Sequence, residues 1–173
     1  IFLKQISRLD IPVILLPGNH DLMHETSIYR RSIFEDSPGN LHIFKEEQGE
    51  IIDFKDKGIK FWGKAMYEHS PLFHPLSPTP EQIKDTWFIG MAHGHFEESD
   101  TSSGRSSLIF PKEIADSHFD YIALGHWDLY TDVSQGNTSA VYSGCPMVIG
   151  NRNEPGSVSL VDLDTNKGAV HKQ

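Results

Sequence analysis

The apolar positions of this chain fall into short runs, each cut off by Gly, Pro or a polar turn. Phe2, Ile6 and Leu9 recur at i, i+4 and i+7, one face of an amphipathic helix. Residues 11–17, IPVILLP, form a brief continuous apolar run, the pattern of a buried strand, and residues 23–34 predict a second helix. GEIIDF and GIKFWG, with KDKG between them, predict a hairpin. Thr79 stands before Pro80 and an acidic residue, a helix start, while TWFIGMAHGH reads as a strand ending in histidines. A short helix over PKEIADSHF, a strand over DYIALGHWD and late strands over SAVYSG and GSVSLVDL complete the series. Units of α/β type mixed with hairpins predict an α/β protein with a layered sheet and helices outside. Residues 99–107, SDTSSGRSS, are the one low-complexity stretch and read as a mobile loop.

Composition narrows the possibilities. With 173 residues, 38% hydrophobic and 23% charged, the chain has the apolar content of one globular domain and not of a disordered tail. Its longest apolar run is broken by Pro12 and falls far short of the roughly 20 residues a membrane helix needs, so no membrane association is expected. Cys145 is the only cysteine, so no internal disulfide can form; with no signal peptide at the start, a cytoplasmic setting is expected. The net charge of −9, from 24 acidic against 15 basic residues, argues against coating nucleic acid by charge alone. It leaves room for an enzyme that meets phosphate through metal ions.

One pattern recurs. Three apolar runs, VILLPGNHD, WFIGMAHGH and YIALGHWD, each end in a polar cluster that carries histidine. Sites in α/β sheets form where loops leave the carboxyl ends of strands, so such clusters can converge on one spot from distant positions. Asn, His and Asp offer the N and O donors that suit Mn, Zn or Fe, and the absence of Cys from all three clusters excludes a soft thiolate site.

At these residues the chain resembles the calcineurin-like metallophosphoesterases. The signature stands as Gly18-Asn19-His20-Asp21, then His93, then Gly125-His126-Trp127-Asp128, in that family's order. The segments ALGHWD, VYSGCP and EPGSVSLVDLD look most similar to the SbcD-type DNA repair exonuclease branch. The resemblance implies a four-layer α/β/β/α sandwich, with residues 1–173 as the C-terminal two-thirds of one catalytic domain truncated at its N-terminus. The family's DxH and GDxxD blocks do not occur in these residues, so about half of a two-metal site is expected. By itself the segment should then bind at most one ion weakly and turn nothing over.

The resemblance also distributes roles. Asn19, His93 and His126 would ligate the second metal. His20 would be the general acid, or a donor to the phosphoryl oxygen, and Asp21 would orient its ring, although Asp21 also suits an ordinary cap. His95, two residues after His93, is the alternative ligand. Asp128 stands where the family has a second His, and a carboxylate there could still hold a metal. The cofactors implied are two divalent ions, Mn first, with Zn or Fe possible. The reaction implied is phosphodiester hydrolysis in which the two ions, about 3.5–4 Å apart, stabilise the charge.

DNA, with an ATPase partner subunit, is the first substrate expectation, and no substrate-binding residue is assigned. A small nucleotide or a phospholipid headgroup is the alternative substrate. A non-catalytic scaffold is the third reading, and only the Asp128 departure supports it. The remaining histidines, 24, 42, 69, 74, 118 and 171, are expected on surfaces or loops, although MYEHSPLFHP could line a cleft. Cys145 is expected as small buried filler and Arg152 as a solvated loop charge.

Overall fold

A computed structural model of the chain describes residues 1–98, 104–147, 156–165 and 168–172, the last five as backbone only. Helix α1 (Phe2–Ile6) leads into β1 (Val13–Leu15), which pairs in parallel with β2 (Leu41–Ile43). The hairpin forms as its pattern predicts: β3 (Glu50–Phe54) and β4 (Ile59–Gly63) are antiparallel around a turn closed by Gly58 at φ +60°. That left-handed conformation is one a glycine adopts without a Cβ clash. β5 (Trp87–His93), β6 (His95–Phe96), β7 (Leu108–Ile109), helix α2 (Pro111–Ala115) and β8 (Tyr121–Gly125) follow. The last elements are β9 (Thr131–Asp132), β10 (Ser139–Tyr142), β11 (Leu160–Asp164) and β12 (Gly168–Lys172).

The organising element is a six-stranded mixed sheet in the order β3-β4-β5-β8-β10-β9. β4, β5, β8 and β10 run parallel and the two edges are antiparallel. Because side chains alternate across a strand, β5 sends Phe88 and Ala92 to one face and Ile89 and His93 to the other. The first face packs with Trp62, Ile122, Leu124, Ala140 and Tyr142 against Ile114 of α2 and Phe119. Ile89, Tyr121 and Val141 form a second cluster with Phe61, Ala123 and the β11 residues Val161 and Leu163. Across an apolar cleft of about 360 Å³, the same face meets Pro12 and the β1 residue Ile14. Apolar cover on both faces explains why β5 and β8 read as continuous hydrophobic runs. The molecule is therefore of mixed α/β class, built on one six-stranded sheet with few and short helices. Among the described residues no helix is long and apolar enough to cross a membrane.

Several sequence expectations need correction. The helix expected over 23–34 is instead two 3₁₀ turns, Ile28–Arg30 and Ser32–Phe34. Arg31 between them is extended at φ −74°, ψ 148°, and the Ser27 hydroxyl accepts the Tyr29 N–H, so local side-chain bonding replaces the helical ladder. Residues 79–84 form no helix. The backbone there runs from Pro78 and Pro80 into β5 without a regular element. The first helix buries Ile6 but leaves Phe2 and Leu9 exposed, so the 2/6/9 stripe is not a core face. The late strand begins at Leu160 rather than Gly156 and pairs with β12, which the apolar pattern did not reveal. Of the loop expected over 99–107, residues 99–103 lie outside the described residues; Ser107 runs directly into β7.

Candidate metal centre

Sheet register brings two of the histidines together. β5 and β8 pair so that His93 lies beside Gly125, and His126 is the next residue. Asn19 comes in from the loop that follows β1. Its Oδ1 lies 2.7 Å from His93 Nε2 and 3.4 Å from His126 Nδ1, and the two imidazole centroids are 5.4 Å apart. Residues 74 and 107 positions apart in the chain thus place one oxygen and two nitrogens around a common point.

Glycines make this approach possible. A Cβ on Gly18 would lie 2.6 Å from His93 Nδ1, and one on Gly125 would lie 2.9 Å from the same atom, so the ring is held between two bare backbone segments. His126 adopts φ +118°, a conformation that L side chains rarely take and that costs roughly 1–3 kcal/mol. A strained non-glycine residue at the end of a parallel strand, aimed at two other donors, is characteristic of a functional position.

The electrostatics suit cation binding. Burial, reinforced by the neighbouring His126 charge, pushes the His93 pKa down to about 4, while Asp21 partly opposes the shift. His126 is also lowered, first by burial and then by His69 and His95. Both rings are therefore neutral near pH 7, the state a metal ligand requires. The Asn19 oxygen and two neutral imidazoles are an N/O donor set that fits a borderline divalent ion. Among the described residues, no three His, Cys, Asp or Glu side chains form such a group; the third donor here is the Asn19 amide oxygen.

A pH dependence follows from the lowered His93 value. The unfolded ring takes up a proton near pH 6.5, whereas the folded ring resists until about pH 4, so the unfolded state binds more protons in between. Stability linked to His93 should be fully present above about pH 6.5 and be lost as the pH falls towards 4. Thermal unfolding of wild type and His93→Asn between pH 4 and 8 checks this. The wild type should lose more of its stability over that window than the variant does.

The remaining candidate residues occupy varied positions. His20 is exposed at the mouth of the cluster, near enough for its charge to depress both His93 and His126. Asp21, expected to orient His20, has two other partners. It accepts the Gly18 N–H at 2.7 Å and the Tyr29 hydroxyl, and so braces the loop that carries Asn19. Asp128 lies at the surface beyond Trp127, and its carbonyl accepts the Cys145 N–H at 2.9 Å. Cys145 itself is half-buried. His95 stands beside the cluster, with its ring 6.0 Å from that of His126, and its Nδ1 is occupied by the Trp127 indole N–H at 3.0 Å.

The sequence left two neighbours without a role. His69, exposed as expected, nevertheless stands 5.9 Å from the His126 ring, with its Nδ1 2.9 Å from Ser107 Oγ. The mixture of aromatics and His in MYEHSPLFHP was the available signal. Arg105, inside the stretch read as a loop, is close enough to act on both His95 and His126 by charge. Arg152 and the side chain of His171 lie outside the described residues. Compared with known proteins, the chain matches no protein-family model and no curated sequence.

Proposed function

We propose that this chain carries part of the catalytic centre of a metal-dependent phosphoesterase of the calcineurin-like type, acting on phosphodiesters with DNA as the first substrate class. The observation that supports the reading is the meeting of Asn19 Oδ1 with His93 Nε2 and His126 Nδ1 at three separate strand ends. These are the residues that the family resemblance assigns to one ion. Asn19, His93 and His126 would hold that ion, Mn in the first instance, with Zn or Fe as alternatives. Divalent ions, when bound, supply Lewis acidity that offsets charge on the phosphoryl oxygens.

The protein's own groups do the rest. His20, exposed beside the donors, delivers a proton to the leaving oxygen or donates to a phosphoryl oxygen. Tyr29 and the Gly18 N–H hold Asp21, and through it the Asn19–His20 turn, in position. We further place the six-stranded sheet and the β1/β2 pair in the two central layers of a four-layer sandwich. The support is the apolar cleft in which Ile14 faces Ile89 and Met91.

Mn-dependent hydrolysis of bis(p-nitrophenyl) phosphate by the complete protein is the direct test, read together with metal content. His20→Ala should lower turnover about 100-fold or more while the metal content stays unchanged. Loss of metal from His20→Ala would make that residue a ligand. A wild type that neither binds Mn nor cleaves the diester would overturn the reading as a whole.

A further inference from the structure

The two nitrogens of His95 have distinct jobs. The indole N–H of Trp127 can only donate, so the nitrogen it reaches, His95 Nδ1, must carry a lone pair. The neutral ring then has its proton on Nε2. The arrangement is fixed from behind: Trp127 stacks on Tyr142 with centroids 4.6 Å apart and planes 17° apart, and the buried Tyr142 hydroxyl donates to the Gly94 carbonyl at 2.7 Å. With Nδ1 accepting and Nε2 protonated, neither nitrogen is left for a cation. His95 is thus a hydrogen-bond donor beside the donor cluster and not a member of it.

The His69 ring and the Arg105 guanidinium stand on the same rim. His69 is held through Nδ1 by Ser107 Oγ, and the Ser107 carbonyl accepts the backbone N–H of His95 at 2.9 Å. The fully buried Ser107 therefore ties both histidines to one strand start. Arg105, two residues earlier, is exposed, and its charge reaches His95 and His126. Glu97 is the acidic group that opposes it at His95. In a chain of net charge −9, the His95 N–H and the Arg105 guanidinium are the kind of donors an approaching anion would need.

We propose that His69, His95 and Arg105 form an oxyanion subsite beside His126, which takes the non-bridging oxygens of a phosphate. The inference rests on the phosphoesterase reading only in identifying that phosphate as the substrate's; the donor geometry is independent of it. His69 and Arg105 give the subsite an adjustable outer edge, while His95 is its fixed element, because Trp127 holds its tautomer.

The test uses inorganic phosphate as the probe, titrated by calorimetry into the complete protein with and without Mn. Arg105→Ala and His69→Ala change exposed side chains and should each weaken phosphate binding about tenfold, the effect of one charge-assisted hydrogen bond. Their Mn content should be unchanged. His95→Ala should weaken phosphate binding at least as much, and His95→Gln, which keeps an N–H donor, should recover most of it. In Trp127→Phe, the ¹⁵N shifts of His95 should leave the Nε2–H pattern of the wild type. Unchanged phosphate affinity in Arg105→Ala and His69→Ala would overturn the subsite, as would loss of Mn from His95→Ala. Phosphate binding that follows these substitutions in a complete protein that takes up no Mn would keep the subsite and remove the phosphoesterase reading.

Discussion

His126→Ala and His126→Gly should both abolish Mn binding, yet His126→Gly should be the more stable of the two by roughly 1 kcal/mol. The imidazole is one of three donors on the proposed ion, and neither substitution replaces its nitrogen. The backbone, however, holds φ at +118°, which strains any residue with a Cβ and leaves glycine unstrained. Relief of that strain, typically about 1–3 kcal/mol, outweighs the roughly 0.5–1 kcal/mol that glycine adds to the entropy cost of folding. Metal analysis with thermal unfolding of both variants decides the matter. Equal stability would mean that the strain at His126 is not real, and retained Mn would remove it from the ligand set.

Gly94→Ala should be severely damaging although it adds a single methyl group. Its Cβ would lie 2.3 Å from the Ser107 carbonyl oxygen and 2.7 Å from Pro75 Cγ. Neither neighbour is the end of a flexible chain, and the Ser107 carbonyl already accepts the His95 N–H. Relief therefore requires the β6–β7 pair to separate, which moves His95, His69 and the Tyr142–Gly94 bond together. Overpacking of this kind costs about 1–3 kcal/mol or more, on the order of 5 °C in Tm for a domain of this size. Gly39→Ala, with nothing within 4 Å of the added atom, is the matched control and should unfold close to wild type. A Gly94→Ala protein as stable as that control would show that the segment yields easily.

Local patterns were readable wherever one strong rule acted alone. The hairpin over residues 50–63 formed because two apolar runs flank a Gly able to take φ +60°. Strands β5 and β8 were readable because burial on both faces leaves an uninterrupted apolar run. The helix expected over 23–34 failed because Ser27 and Arg31 redirected the backbone, a choice between local hydrogen bonds that apolar spacing does not register.

What the sequence by itself determined is the set of chemical groups: Asn19, His20, His93 and His126 at the ends of apolar runs, with glycines beside them. A strand's carboxyl end is a local property, written in where its hydrophobic run stops. What only the tertiary structure decided is which groups face one another and in what protonation state. Parallel pairing puts His93 alongside Gly125. Trp127, a core neighbour with no marked spacing to His95, sets that ring's tautomer. Ser107 recruits His69 from a loop that spacing alone leaves on the surface, and Tyr29 takes the Asp21 carboxylate that adjacency alone would assign to His20. Each of these outcomes is a contact between residues far apart in the chain or on different elements. Its energy depends on distance and burial in three dimensions, and neither quantity has a counterpart in the order of the residues.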